Sequence, residues 1–252
     1  MIWLDTALAL GLGVVVGGLG GMFGVGGGIL AIPALGALFT MDQQMAQGTA
    51  LIMILPNAIF GFWRYYRRNP IDLRMAGALS ISAVSATYFA AHAANHLPGA
   101  TLRLAYACFL AALAIWLGFK ATRKEQTPQN HRVKRPWPWA LLVGLVGGVF
   151  SGLFGVGGAM IAPPALTELF GLSQTSAQGL ALALITPGAA VALGVYAQAH
   201  EVDWNLGIPL AIGGLAAVSL GVAGAHRLKE QRLRLLFCGF LIFTAAMLSL
   251  RV

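Results

Sequence analysis

One stretch of this chain is written twice, and that duplication limits its fold more than any other feature. Residues 21–35 read Gly-Met-Phe-Gly-Val-Gly-Gly-Gly-Ile-Leu-Ala-Ile-Pro-Ala-Leu, and residues 152–166 read Gly-Leu-Phe-Gly-Val-Gly-Gly-Ala-Met-Ile-Ala-Pro-Pro-Ala-Leu. The offset, 131 residues from Gly24 to Gly155, continues without a gap. Ala46-Gln47-Gly48 falls on Ala177-Gln178-Gly179, Pro56 on Pro187, Tyr65 on Tyr196 and Asp72 on Asp203. The chain is one unit repeated, and each copy carries a glycine-rich break inside an apolar segment.

The solvent for such a unit follows from composition. Of 252 residues, 58% are hydrophobic and 10% are charged, with a mean hydropathy of +0.77. A soluble domain carries about 25% charged residues, so this chain has too little polar surface for water and reads as a bilayer protein. A spanning helix takes roughly 20 mostly apolar residues. The runs present predict an all-α polytopic membrane protein with about eight long apolar segments, four in each copy. The opening Met1-Ile2-Trp3-Leu4-Asp5 has no basic region ahead of its apolar run, which predicts a retained first segment and not a cleaved signal peptide.

The net charge of +8 does not point to nucleic acid. The basic residues lie in short loops between apolar runs, where they orient membrane proteins. Cys108 and Cys238 sit inside apolar runs with no CxxC and no histidine nearby. They read as buried helix residues and as neither a disulfide nor a metal site. No metal or cofactor is expected.

The division is a first membrane repeat over 1–119, a basic cytoplasmic linker over 120–138 and a second membrane repeat over 139–252. Residues 2–40 are too long for one span. They carry Gly13, Gly17 and Gly21 at four-residue spacing, matched by Gly144, Gly148 and Gly152. Small residues so spaced make a helix face that another backbone approaches closely, which is a packing feature. Gly24, Gly26, Gly27 and Gly28 then interrupt the helix, since each glycine costs about 1 kcal/mol relative to alanine. Residues 29–39 can restart as a short helix, with Pro33 near its start. Further spans are predicted at 45–63, 75–93 and 101–119. The second copy predicts a broken segment over 139–170 and spans at 177–197, 205–225 and 235–250.

Loop charge adds a topology. Basic loops face the cytoplasm, which places 64–74, 120–138 and 227–234 on one side. Reading 139–170 as a single span leaves an odd number of crossings between the last two loops. Reading it as a hairpin bent at Gly155 to Gly158 makes the number even and puts Glu201 and Asp203 outside. The same hairpin, whether it crosses fully or re-enters, puts Asp5 outside in copy one and leaves the two repeats inverted. A simple eight-span reading with parallel repeats is the alternative and fails on one loop.

Each break precedes a short helix whose first N–H groups have no intrahelical acceptor and carry about half a positive charge. Broken helices that aim such ends at the midplane of an inverted repeat bind anions in transporters. The predicted substrate-binding set is therefore Gly24, Gly26, Gly27, Gly28, Gln47, Thr49, Asn57, Gly155, Gly157, Gly158 and Gln178. The plain alternative is that the glycines serve packing and the glutamines bond neighbouring helices, although an amide in an apolar span asks for a reason. Glu168 is the one acidic residue within the apolar runs, where a cation carrier would be expected to hold more. His92, His96, Arg103, Glu168 and His200 lie near span ends and read as interface anchors before proton carriers. The GxGxxA form of residues 26–31 lacks the strand, helix and later acidic residue of a dinucleotide site and is rejected.

The duplicated Phe-Gly-Val-Gly-Gly followed by an apolar run and proline, with Gly48-Thr49-Ala50-Leu51 in the next span, resembles the TauE/SafE family of sulfite exporters over essentially the whole chain. The resemblance implies an eight-span inner-membrane permease for sulfite, sulfoacetate or related small sulfur-containing and organic anions, with proton coupling. It departs in copy two, where Ala159, Gly179-Leu180 and Gly188 replace Gly28, Gly48-Thr49 and Asn57. Copy one is thus expected to supply more of the polar groups. The resulting expectation is a secondary transporter, an exporter of a small anion and not an enzyme. A passive anion channel and a membrane assembly factor are the alternatives. The predicted partners are the anion and the bilayer, with no nucleic acid.

Overall fold

The computed structural model describes residues 2–23, 26–68, 71–122, 138–156, 161–225 and 239. Among them every regular element is a helix. Copy one contains α1 (Ile2–Phe23), α2 (Gly28–Phe39), α3 (Gln43–Arg68), α4 (Leu73–His96) and α5 (Gly99–Thr122). Copy two contains α6 (Pro138–Phe154), α7 (Ala162–Phe170), α8 (Gln174–Gln198) and α9 (Trp204–Ala225). The first apolar segment of each copy is thus two helices and not one. Apart from residue 239, the expected span at 235–250 lies outside the described residues, as do residues 123–137 of the linker.

Among the described residues, five helices are apolar and long enough to cross a membrane: α1, α3, α5, α8 and α9. This differs from eight long apolar segments for definite reasons. The break in copy two leaves α6 with 17 residues, about 26 Å at 1.5 Å per residue, and most of the span expected at 235–250 is not among the described residues. The hydroxyls of α4 lower its hydropathy, yet most turn inward onto backbone: Ser82 donates to the carbonyl of Ala78 and Thr87 to that of Gly148. Trp3, Ile81, Phe89 and Leu220 are each at least 72% exposed. So wide an apolar exterior suits lipid and not water. Cys108 belongs to that exterior: it is exposed on α5 and is not the buried residue expected, because in a bilayer an apolar helix can turn such a side chain outward.

The four-residue glycine stripes do bring backbones together. A Cβ on Gly17 would stand 2.7 Å from the carbonyl carbon of Gly214, and one on Gly21 3.1 Å from that of Val218. Contacts rise in step along both chains, so α1 and α9 run parallel. In the same way a Cβ on Gly148 would lie 2.8 Å from the Cα of Ala83, and one on Gly152 2.7 Å from the nitrogen of Ala91. Hence α6 lies parallel to α4. Exchanging the two copies turns the first helix pair into the second.

At the centre, α3 and α8 are the most enclosed spans, with 61% of each buried against 33% for α1, α5 and α9. They are equivalent helices, and they cross antiparallel. Tyr65 meets Gln178, Gly61 meets Leu182 and Gln47 meets Tyr196. Pro56 and Pro187 lie at the midpoint of this contact, inside their helices. A helical proline deprives the carbonyl four residues back of its donor. For Pro187 that carbonyl is Ala183, and the Ser80 hydroxyl of α4 donates to it at 3.0 Å. Equivalent residues also cap equivalent helices. Asp72 accepts from the amides of Arg74 and Met75, and Asp203 from those of Asn205 and Leu206.

Charged side chains gather at the two ends of the bundle, with Asp72 capping α4 at the arginine end. Asp5, Thr40, Met41 and Asp203 line one 1020 Å³ cavity. The start of α1, the end of α2 and the loop before α9 therefore share an end, which α1 and α2 reach by folding back on each other. Asp42 and Glu201 lie there too, and burial together with Asp42 raises the Glu201 carboxyl above its ordinary value. For an acid this sign means that the folded state gains stability as pH falls through that raised value. Arg64, Arg67 and Arg68 lie at the far end of α3 and Arg74 at the near start of α4, with the Arg67 guanidinium 4.2 Å above the Trp63 ring.

Candidate functional site where the two breaks meet

Break one turns sharply because Gly26 and Gly27 take φ of 72° and 89°, a region closed to most side chains. Gly27 then caps α2, whose first bonds run from the amides of Leu30 and Ala31 to the Gly27 carbonyl. No side chain caps this end, so the earliest N–H groups of α2 have no intrahelical partner. In copy two, Gly155 takes φ of 64° after its amide bonds the Ser151 carbonyl at 2.9 Å. The two breaks touch: a Cβ on Gly28 would lie 3.5 Å from the Gly155 carbonyl oxygen. Gly24, Gly157 and Gly158, the remaining predicted glycines, lie outside the described residues.

Gln47 packs against this junction, its Cβ 3.2 Å from where a side chain on Gly155 would begin. Its Oε1 accepts from the Tyr196 hydroxyl at 2.7 Å, and that hydroxyl also lies 3.2 Å from the Gly152 carbonyl. The Nε2 of Gln47 has no partner among the described residues, though the side chain is 0% exposed. A buried amide left so costs about 1–3 kcal/mol, which calls for an occupant or a function.

The other predicted residues do not all converge. Gln178 accepts from Tyr65 at 2.8 Å, at the far end of the α3–α8 crossing. Gln47 and Tyr65 are 18 residues apart on α3, roughly 27 Å along the axis, so the two glutamines do not share one pocket. Thr49 is also turned away, because residues two apart on a helix face nearly opposite sides. Its hydroxyl oxygen accepts from the Asp203 amide at 3.0 Å and so pins the loop before α9. Asn57 is 1% exposed with neither amide atom partnered among the described residues. It faces Gly214 of α9, and a Cβ there would lie 3.0 Å from its Nδ2.

Copy two answers Asn57 differently. Gly188 stands at the equivalent place, and a Cβ on it would be 3.4 Å from both Ser151 Oγ and Thr87 Oγ1. The Ser151 hydroxyl is fully buried and unpartnered among the described residues. The polar group at this level has moved from the third helix of copy one to the first helix of copy two. Sequence reasoning missed Ser151, Tyr65 and Tyr196 as site residues. The tyrosines repeat at the offset, and Ser151 breaks it by replacing Gly20.

The family profile described as sulfite exporter TauE/SafE matches residues 9–248. A probable membrane transporter protein of Methanocaldococcus jannaschii is 29% identical over 62% of this chain and 59% of its own length. The probable membrane transporter protein YdhB of Bacillus subtilis is 26% identical over 83% of this chain and 84% of its own. A probable membrane transporter protein of Xylella fastidiosa is 23% identical over 89% and 87%. No solved structure matches the chain. With a profile match along nearly all its length and helices suited to several crossings, this multi-pass membrane chain belongs to the TauE/SafE family of membrane transporters.

Proposed function

We propose that the chain is a secondary transporter that exports a small anion, sulfite, a sulfonate or a related organic anion, across the inner membrane by alternating access. The carrying observation is the unpartnered, fully buried Nε2 of Gln47 beside the junction of two glycine breaks. An anionic oxygen there would accept one N–H of the amide, with the positive end of α2 close by. Gly26, Gly27, Gly28 and Gly155 let Ile54, Met53 and Gln47 pack directly against the two turns. Asn57 and Ser151 are further candidates to contact the anion as it passes. Thr49 is left out, since its oxygen already serves the Asp203 amide.

The antiparallel crossing of α3 and α8 supports inverted repeats. Equivalent helices that traverse the membrane in opposite directions are related by an axis lying in its plane, the arrangement that suits alternating access. Each copy then counts four segments, eight in all, with the first of each bent into a hairpin. The arginine-rich end faces the cytoplasm. In a protein carrying Cys108→Ala and Cys238→Ala, Arg67→Cys is expected to react with an impermeant maleimide only from the cytoplasmic side. Trp204→Cys is expected to react only from outside. Labelling of both from one side would refute the inverted arrangement.

Counterflow in proteoliposomes tests the function. Labelled sulfite outside should accumulate against unlabelled sulfite or a sulfonate inside, which an open pore would not support. Absence of accumulation with every sulfur anion, from monodisperse protein, would remove the substrate class.

A further inference from the structure

We propose that Tyr196 and Tyr65 are positioning residues that close the two ends of the translocation path, each by holding the glutamine of the opposite repeat. This rests on the transporter reading above. Tyr196 on α8 donates to Gln47 on α3, and Tyr65 on α3 donates to Gln178 on α8. These are one bond written twice at the repeat offset. The members of each pair come from different copies, so relative movement of the copies acts on both bonds.

Their placement fits closures at two ends. Gln47 and Tyr65 each lie nine residues from Pro56, as Gln178 and Tyr196 do from Pro187. Each bond is therefore displaced about 13 Å along the helices from their crossing, in opposite directions. Ile54, whose side chain packs where Gly26 and Gly28 lie, falls between them. Tyr196 and Gln47 are both 0% exposed, while Tyr65 is 5% and Gln178 9% exposed. Both pairs are formed and buried here, as closures at either end require.

The chemistry also suits repeated opening. One neutral hydrogen bond contributes modestly against competition from other partners, so a pair of this kind can part. At the Gln47 end the Tyr196 hydroxyl keeps an acceptor when it parts, because the Gly152 carbonyl is already 3.2 Å away. The released amide is then free to turn toward a ligand. Prolines at the crossing weaken both helices at the place about which their halves would tilt. Because the copies are inverted, parting one pair and forming the other are the same movement made by opposite copies.

Sided labelling of a single buried cysteine tests this. The reporter is Ile54→Cys in the Cys108→Ala, Cys238→Ala protein, reacted in oriented proteoliposomes with an impermeant maleimide. Tyr196→Phe is expected to raise labelling from the Asp42 and Glu201 side, and Tyr65→Phe from the Arg64 and Arg67 side. Each should do so about three- to tenfold, the population change that loss of one hydrogen bond allows. Increases on the same side, or no change in either variant, overturn the proposal. If a phenylalanine variant is not monodisperse, Gln47→Leu and Gln178→Leu replace the pair with the same two readings. Labelling uses no substrate, so it separates the ideas. Counterflow with unsided labelling removes the closures alone, and sided labelling without counterflow removes the transporter reading alone.

Discussion

Replacing Gln47 by leucine is expected to abolish anion counterflow while leaving the protein as stable as before, or more so. Leucine is close to glutamine in size, so the space beside Gly155 stays filled. The change deletes one bond to Tyr196, of about 1 kcal/mol net, and also deletes an unpartnered buried amide that costs about 1–3 kcal/mol. Tyr196 retains the Gly152 carbonyl. If the amide instead donates to a bound anion, its loss removes a charge-assisted bond of about 1.5–3 kcal/mol, at least tenfold in affinity. Thermal unfolding in detergent and counterflow on the same preparation check both halves. A drop in melting temperature with transport retained would mean that Gln47 is a helix staple and nothing more.

The opposite pattern is expected for Gly148→Leu. Even its Cβ would stand 2.8 Å from the Cα of Ala83 and 2.9 Å from its carbonyl carbon, and backbone on two packed helices cannot yield as a side chain does. Overpacking alone costs about 1–3 kcal/mol, and here it forces α4 and α6 apart along their whole parallel contact. Loss of monodisperse protein is the expected result, with transport lost as a consequence. Gly77→Ala is the control, because nothing lies within 4 Å of its Cβ position. It should match or slightly exceed the parent in stability, since alanine is the better helix former by about 1 kcal/mol. A Gly148→Leu protein as well behaved as Gly77→Ala would show that the stripe is not an interface.

Much of this was legible in the residues. A repeat at constant offset, apolar runs of spanning length and glycines every fourth position are local signals. The helices follow them closely: the expected restart at 29–39 is α2, and the expected spans at 177–197 and 205–225 are α8 and α9. The glycine breaks were readable because so many glycines in a row are poor helix, at about 1 kcal/mol each. Less readable was which polar groups share a space. Gln47 and Thr49 are neighbours in sequence, yet helical geometry sends one to the junction of the breaks and the other to the Asp203 loop.

Helix periodicity and hydropathy state which segments cross a bilayer, because those properties belong to one segment and its solvent. They are silent on partners 60 or 150 residues away. That Gln47 and Gln178 stand at opposite ends, each held by the other copy's tyrosine, arises only when two equivalent helices cross antiparallel at their prolines. That Ser151 answers Asn57 arises only when α6 is laid against α8. Repetition put the same tyrosine and the same glutamine at equivalent places in both copies. The crossing of α3 and α8 set where those equivalent residues meet, because side chains there must interlock, Gly61 with Leu182 and Tyr65 with Gln178.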